Sequence, residues 1–440
     1  MNKTLFLFVL LCNTLNLNAQ DTKQIDQYLT LLEQNNKLMA TMTVTNDGNI
    51  TYEKAMGFAD VENKIKNTKG TKFRIGSITK AFTAVMIFQL VDEGKITLNT
   101  PLSEYYPEIT GAENIKIANL LNHSSGLYNI TNDSDFGKWM LEKSTKNEMV
   151  SRIKGYKLDF NPGEQTAYSN TNYLLLGYII EALDKDAYPQ ILKKRITNKV
   201  ELNDTYYGGK ISSKNNESHS YAIKAANWNK QLETEMSNPG GAGAIVSTSA
   251  DLAKFINALF NNKLISISSL EAMKKTNNGE VCHGLFYANL NGLDIYASEG
   301  GIDGFQSMLV YVPKFKTTIS LTANALDYQK TQIMLTVFGA INGQSIQMPI
   351  FTKYELTEAQ AKIYEGEYAC DEVPYKLIFK ANGNILMGAP EQSNLKELTP
   401  IKQHQFTFDT LGIVLDFYPG VNTVRFKKGD DKPLMFKKVK

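Results

Sequence analysis

From Ser77 to Glu93 the chain reads Ser-Ile-Thr-Lys-Ala-Phe-Thr-Ala-Val-Met-Ile-Phe-Gln-Leu-Val-Asp-Glu. At helical spacing Ala81, Phe82, Val85, Met86, Ile87, Phe88, Leu90 and Val91 fall on every side of the cylinder, so this predicts a helix with no face for water. Gly94 stands where a left-handed residue would end it. Such a helix must be wrapped by other elements. A chain of 440 residues is long enough to build that enclosing domain and a smaller one besides.

The flanking sequence says what the wrapping is made of. Ile25, Tyr28, Leu29 and Leu32 recur at helical spacing, and Met42 to Tyr52 gives two alternating runs around Asp47-Gly48, a hairpin turn pair. Residues 100 to 280 carry helical segments broken by Pro and Gly, among them Asn172 to Leu183 and Ser249 to Phe260. Strand-like runs return at Leu285 to Tyr296, Gln306 to Val312 and Thr317 to Thr322, and Tyr328 to Asn342 reads as a closing helix. Strands first and last with helices between predict an α+β fold, in which an antiparallel sheet is flanked by helices and joined to a mostly helical subdomain. Past Pro349 the texture changes to short strands, including Tyr375 to Lys380, an Asn382-Gly383 turn, Ile385 to Met387, Phe406 to Phe408, Val414 to Phe417, Thr423 to Lys427 and Leu434 to Val439. The expected division is a leader at 1–19, a main domain at 20–349 and a small all-β, barrel-like domain at 356–440.

The leader follows from its order: Lys3, the apolar run Leu5 to Leu11, then Leu17-Asn18-Ala19 before Gln20, as in a secretory signal cut after Ala19. Cys12 follows a bulky Leu11, which argues against a lipidation site. An exported, periplasmic or secreted protein is expected, with no other stretch long and apolar enough to cross a membrane. The formal charge of +2 gives no reason to expect nucleic acid as a partner. Beyond the leader only Cys282 and Cys370 remain, and His123, His219, His283 and His404 are scattered without metal-ligand spacing. Neither a disulfide framework nor a metal site is expected, and no cofactor.

Three patches carry chemistry. In Phe73-Arg-Ile-Gly-Ser77-Ile-Thr-Lys80 a serine and a lysine share one helix face. Burial and the positive helix end would depress the lysine pKa and make its neutral amine a base for the hydroxyl. The Ser77 N–H, free at a helix start, could face an oxyanion. Read alone, the tetrapeptide is better explained as an N-cap and a solvated lysine, and the apolar run that follows weakens that reading because a lysine opening a buried helix needs a polar neighbour. In Asn161-Pro-Gly-Glu-Gln-Thr-Ala-Tyr168-Ser-Asn170 a turn leads into three polar residues directly before an apolar helix. Tyr168 could exchange a proton with Ser77 if Lys80 lowers its pKa, and Asn170 could hold Lys80 or a substrate amide. The third patch is Ser298-Glu299-Gly300-Gly301-Ile-Asp-Gly304. Its glycines suit close approach of a substrate carbonyl, with Gly301 N–H completing an oxyanion hole, and suit a structural bend equally.

Together, and in this order, the patches closely resemble the serine β-lactamase-related family, in particular class C β-lactamases and D-alanyl-D-alanine carboxypeptidases. The resemblance runs from about residue 38 to 345 and includes Leu120-Leu-Asn-His-Ser-Ser-Gly-Leu127 and Gly243-Ala-Ile-Val-Ser-Thr248. It implies that Ser77 forms an acyl-enzyme, that Lys80 and Tyr168 relay the proton, and that Asn170, Gly300 and Gly301 belong to the substrate site. His123 would then lie in a structural motif. Where the family usually carries Lys or His, this chain has Ser298, which removes an electropositive donor for a substrate carboxylate. The expected reaction is therefore hydrolysis of an ester or amide, of a small molecule or of a D-amino-acid peptide. A β-lactamase or D-alanyl-D-alanine carboxypeptidase, and a non-catalytic binding protein on the same scaffold, are the alternatives. More loosely, the last domain resembles lipocalin-like barrels appended to some members, with Tyr364-Glu-Gly-Glu-Tyr368 at its start. Oligomeric state is not written in any of these motifs.

Overall fold

Strands from the two ends of the main unit meet in one sheet, as the order of elements predicts. Its six antiparallel strands run, from edge to edge, Phe286–Leu290, Leu293–Ile302, Phe305–Val312, Thr317–Leu326, Leu38–Asn46 and Asn49–Met56. The structure is a computed structural model that describes residues 19–440 apart from 225, 226, 278, 291, 350, 352, 353, 392, 409, 410 and 429–431, with backbone only for 19, 20 and 224. The proposed leader, residues 1–19, lies outside the described residues except for Ala19, which opens the first helix. Among the described residues no helix is long and apolar enough to cross a membrane.

The sheet is covered on both faces, for different reasons. Met42, Val44, Val310, Ile319 and Leu321 pack against the helices Ala19–Gln34 and Lys330–Ile341. The other face carries hydroxyls: Thr41 pairs with Thr322 at 2.8 Å, Thr43 with Ser249 at 2.8 Å, and Asn257 donates to both Thr45 and Thr318 at 2.9 Å. These bonds partner most of the polar side chains buried against the helix Ser249–Phe260, while Ser320 Oγ and Asn257 Oδ1 are buried without a hydrogen bond. Asp47 and Gly48 make the predicted turn, both with positive φ (46° and 81°).

The all-round apolar helix is Thr79–Asp92, and it is buried from Thr79 to Leu90. Asn170–Asp184 packs along it, and Phe82 stacks on Phe255 with ring centroids 3.8 Å apart. Gly94 (φ +68°) ends it, its N–H bonded to Val91 O while Lys95 N–H reaches Leu90 O. Its start differs from the expected one. Gly76–Ile78 forms a tighter 3₁₀ turn before the α-helix, so Ser77 sits on that turn.

Two further differences concern strands. The run Leu285 to Tyr296, read as one strand, is a hairpin of Phe286–Leu290 and Leu293–Ile302. Gly292 (φ +83°) reverses the chain there, with its N–H held by Asn289 Oδ1. In the C-terminal region nine strands form a nearly closed antiparallel barrel-like sheet around Tyr364, Leu377, Phe379, Phe406, Phe417 and Phe436. Gly366–Ala369, Lys396–Glu397 and Thr399–Lys402 complete it beyond the strands read from the sequence.

Candidate active site

Strand Phe73–Arg74 leads into the Gly76–Ile78 turn, which nests against the strand Leu293–Ile302. The contact is backbone on backbone. A Cβ at Gly300 would stand 1.9 Å from Ile75 O, and one at Gly76 (φ +51°) 2.8 Å from Gly301 N. Ser307 Oγ donates to the same Ile75 carbonyl at 2.8 Å. Gly300 is thus fixed by its neighbour in the fold, the bend-like alternative of the two readings. Gly301 is exposed to the cleft. The two-residue loop 303–304 pairs Ile302 with Phe305 and Gly301 with Gln306. In an antiparallel ladder closed that way, hydrogen-bonded pairs fall at 302 and 300, so the Gly301 N–H points off the sheet edge toward the Ser77 turn.

Ser77 Oγ lies 3.0 Å from Lys80 Nζ and 2.7 Å from the Tyr168 hydroxyl. Lys80 is 4% exposed, and burial holds its amine well below the usual lysine range. Its other partners are neutral acceptors, Asn170 Oδ1 and Ala242 O, each at 2.8 Å, and among the described residues no carboxylate pairs with it. Burial disfavours the charged form, and a neutral Lys80 amine would keep two N–H groups for these two oxygens and a lone pair for the serine proton. Tyr168 donates to Ser77 Oγ from the other side.

The expectation that Lys80 lowers the Tyr168 pKa is corrected here. Burial of the hydroxyl end pushes the phenol up to about 12, with the Ser77 hydrogen bond opposing. The ring itself remains 42% exposed, its outer edge forming a wall of the cleft.

The orientation of Asn170 is set by residues that the sequence reading did not single out. Asn129 Oδ1 accepts from the Asn170 backbone N–H at 3.0 Å, and Thr131 Oγ1 takes Nδ2 at 3.1 Å, which turns Oδ1 toward Lys80. The segment Leu120–Leu127 is the scaffold for the tyrosine loop. Gly163 N–H bonds Ser124 O at 2.8 Å and Ala167 N–H bonds His123 O at 2.9 Å. Gly126 (φ +75°) abuts Phe160 O so closely that a Cβ would lie 1.9 Å from it.

His123 belongs to this scaffold. It is buried, and its Nδ1 accepts from Ser169 N–H and Asn172 Nδ2, each at 3.2 Å, so Nε2 carries the proton. Desolvation first, and Lys80 second, press its pKa down to about 3. It therefore stays neutral across the working range. This histidine is therefore expected to contribute no inflection to the pH–rate profile. His123→Phe should lower stability by about 1–3 kcal/mol through the two unpaired donors, without changing the shape of that profile.

Cavities open on both sides of Ser77. One, beside Tyr168, Tyr173 and Cys282, has the buried Ser298 in its wall. The other, of about 350 Å³, is lined by Ile130, Phe136, Trp139, Leu174 and Ile302, with Gly301 at its rim. Among the described residues Lys80 is the only Lys or Arg lining either. Glu299, next to Ser298, is engaged by Lys330 at 2.9 Å. Arg74 and Asp303 form a buried ion pair at 2.8 Å behind the second cavity, with side chains 2% and 1% exposed. Among the described residues no cluster of His, Cys, Asp and Glu could hold a metal ion.

Comparison with known proteins bears on the family and the fold. The family model described as Beta-lactamase matches residues 26–337. Among curated proteins the chain is similar to the teichoic acid D-alanine hydrolase of Staphylococcus aureus strains, 28% identical over 251 residues, which are 57% of this chain and 60% of that protein. The chain thus spans about 60% of the length of the curated relatives it matches. Among solved structures, a D-amino acid amidase from Ochrobactrum anthropi SV3 complexed with D-phenylalanine is similar at a TM-score of 0.64 and 26% identity, over 74% of this chain and 99% of that one. The octameric penicillin-binding protein homologue from Pyrococcus abyssi shares the fold over 94% of this chain and 99% of its own, at a TM-score of 0.66 and 21% identity.

Proposed function

Because this chain belongs to the beta-lactamase family, we propose that it is a serine hydrolase of the class C type that cleaves an ester or amide through an acyl-enzyme on Ser77. The observation that carries the reading is the convergence of a desolvated amine and a phenol on one hydroxyl, 3.0 and 2.7 Å away, between two cavities. Lys80 takes the Ser77 proton as Oγ attacks the carbonyl carbon, and the developing oxyanion meets the N–H groups of Ser77 and Gly301. Tyr168 gives its proton to the leaving oxygen or nitrogen and regains one from the Lys80 ammonium. Water then adds to the acyl carbon, giving its proton to the same pair, and the acid leaves as Ser77 is reprotonated.

The substrate class follows from charge. With Ser298 in the wall and, among the described residues, no cation other than Lys80 lining the cleft, a carboxylate near the scissile bond finds no further counter-ion there. D-Aminoacyl esters and amides carry an ammonium there instead, and the names of the curated relatives and of the amidase point the same way. We place the reaction outside the cytoplasm, since residues 1–19 have the order of an export signal and teichoic acid is a cell-wall polymer.

Mass spectrometry of the intact protein, quenched during turnover of D-alanyl and L-alanyl p-nitrophenyl esters, tests this. The expected result is an acyl adduct on the peptide containing Ser77 and faster release from the D-ester. An adduct on another residue, or none with hydrolysis at the buffer rate, would overturn it.

A further inference from the structure

The two cavities beside Ser77 differ in which reacting group they face. Tyr168, the donor to the leaving atom, lines the cavity walled by Ser298 and Glu299, whereas Asn170 and Gly301 line the apolar one of about 350 Å³. A leaving group protonated by Tyr168 therefore departs into the first, and the acyl part occupies the second.

What meets the leaving group there is a carboxylate. Strand Leu293–Ile302 is paired with Phe286–Leu290 only from Leu293 to Ala297, so from Ser298 onward it is an edge that borders the cleft. Ser298, buried on that edge, brings a hydroxyl and no charge. Glu299 lines the Tyr168 cavity and keeps 44% of its side chain exposed. Its lysine stands behind it. Lys330, 2.9 Å from Glu299 Oε2, opens the helix Lys330–Ile341, has Gln306 Oε1 as a second partner at 3.5 Å, and lines neither cavity. An ionised carboxylate has two oxygens and about four lone-pair sites, so one lysine on Oε2 does not exhaust it. The lysine holds the group in place, and the face turned to the cleft is an acceptor for a donor that carries positive charge.

On the acyl-enzyme reading given above, we propose that the leaving group carries an ammonium and that Glu299 is the residue that selects it. The substrate is then an ester of an amino alcohol or an amide of a diamine. The ammonium takes no part in bond making. The bond from the acyl carbon to the leaving oxygen or nitrogen breaks, the Tyr168 proton goes to that atom, and the charged end stays on Glu299 until the product leaves.

Three D-alanyl aryl esters that differ only para to the leaving oxygen, the 4-(aminomethyl)phenyl, 4-methylphenyl and 4-(carboxymethyl)phenyl esters, test this. Their kcat/KM values are compared after division by each ester's rate with hydroxide, which removes intrinsic reactivity. The parent should prefer the ammonium ester to the carboxylate ester. Glu299→Gln should lower that preference by about tenfold or more, as for loss of a charge-assisted hydrogen bond. Lys330→Met, which removes the competing cation, should raise it. A purely structural role for the ion pair would slow all three esters alike and keep the preference within about twofold in Glu299→Gln; that result overturns the proposal, as does a parent that does not prefer the ammonium ester. If none of the esters leaves an adduct on Ser77 of the parent, the acyl-enzyme reading itself falls, and the assignment of Glu299 with it.

Discussion

Lys80→Met is expected to slow acylation by an activated ester by about 10³ to 10⁴-fold, measured as the single-turnover rate, because it removes the base and leaves the nucleophile in place. That corresponds to roughly 4–5.5 kcal/mol of barrier. The size follows from the hydrogen-bond count. Ser77 Oγ already accepts from Tyr168, so its proton has one good destination, the lone pair of the amine 3.0 Å away. Lys80→Arg should not rescue the rate, since a guanidinium keeps its proton.

The same burial makes a pH prediction. Acylation should rise as pH passes upward through the depressed lysine pKa and hold beyond it, because Tyr168, at about 12, keeps its proton throughout. Stability carries the matching sign. Between that depressed value and the ordinary 10.5 the unfolded chain binds one proton more than the folded chain. Stability therefore rises with pH across the interval and is lost as pH falls through it. Lys80→Met should flatten this dependence. A methionine variant that acylates within tenfold of the parent would show that the proton leaves by another route.

How much of this could be read from residues alone differs from part to part, and for physical reasons. The buried helix, its glycine end and the Asp47-Gly48 turn are local facts, fixed by spacing and by φ, and they stand as expected. Ser77 and Lys80 are neighbours on one turn, so their proximity is local as well. Tyr168 lies 91 residues from Ser77, so the residues alone offered their proton exchange as one of two readings, and the family resemblance favoured it before the geometry did. Asn129 and Thr131 carry no motif of their own, since their task is to orient an amide that arrives 41 and 39 residues later. The strand order around Gly292 was missed although a glycine stood in the run, because alternation on both sides of a tight turn mimics one long strand. The direction of the Tyr168 shift was misread for a related reason. Charge is visible in sequence, but the desolvation of the Tyr168 hydroxyl, the larger cause of its shift, is a property of the packed structure.

Arg74 and Asp303 show the same limit and support the second large prediction. Both sit inside recognisable motifs, yet their pairing spans 229 residues. Arg74 Nη1 reaches Asp303 Oδ2 and Thr234 O, each at 2.8 Å, and Nη2 reaches Gly209 O at 2.8 Å. Asp303 Oδ1 takes the Thr234 N–H and hydroxyl at 3.0 and 2.7 Å. The pair ties the residue three before Ser77 to the residue two after Gly301, and so sets the spacing of the two oxyanion donors.

Asp303→Asn keeps the turn, since asparagine tolerates the φ of +56° there, but it removes the nearer carboxylate from a buried guanidinium and leaves only the more distant Glu233 at 3.5 Å. A loss of about 3–5 kcal/mol in urea unfolding is expected. Adding Arg74→Met removes the orphaned charge and should recover most of that stability, as replacing both partners of a buried pair commonly does. Hydrolysis should not recover with it. The double variant should retain KM within about threefold while kcat stays at least tenfold down, the scale of a misplaced oxyanion donor. If kcat returns together with stability, the pair only holds the fold, and the alignment of Ser77 with Gly301 rests on the glycine contacts alone.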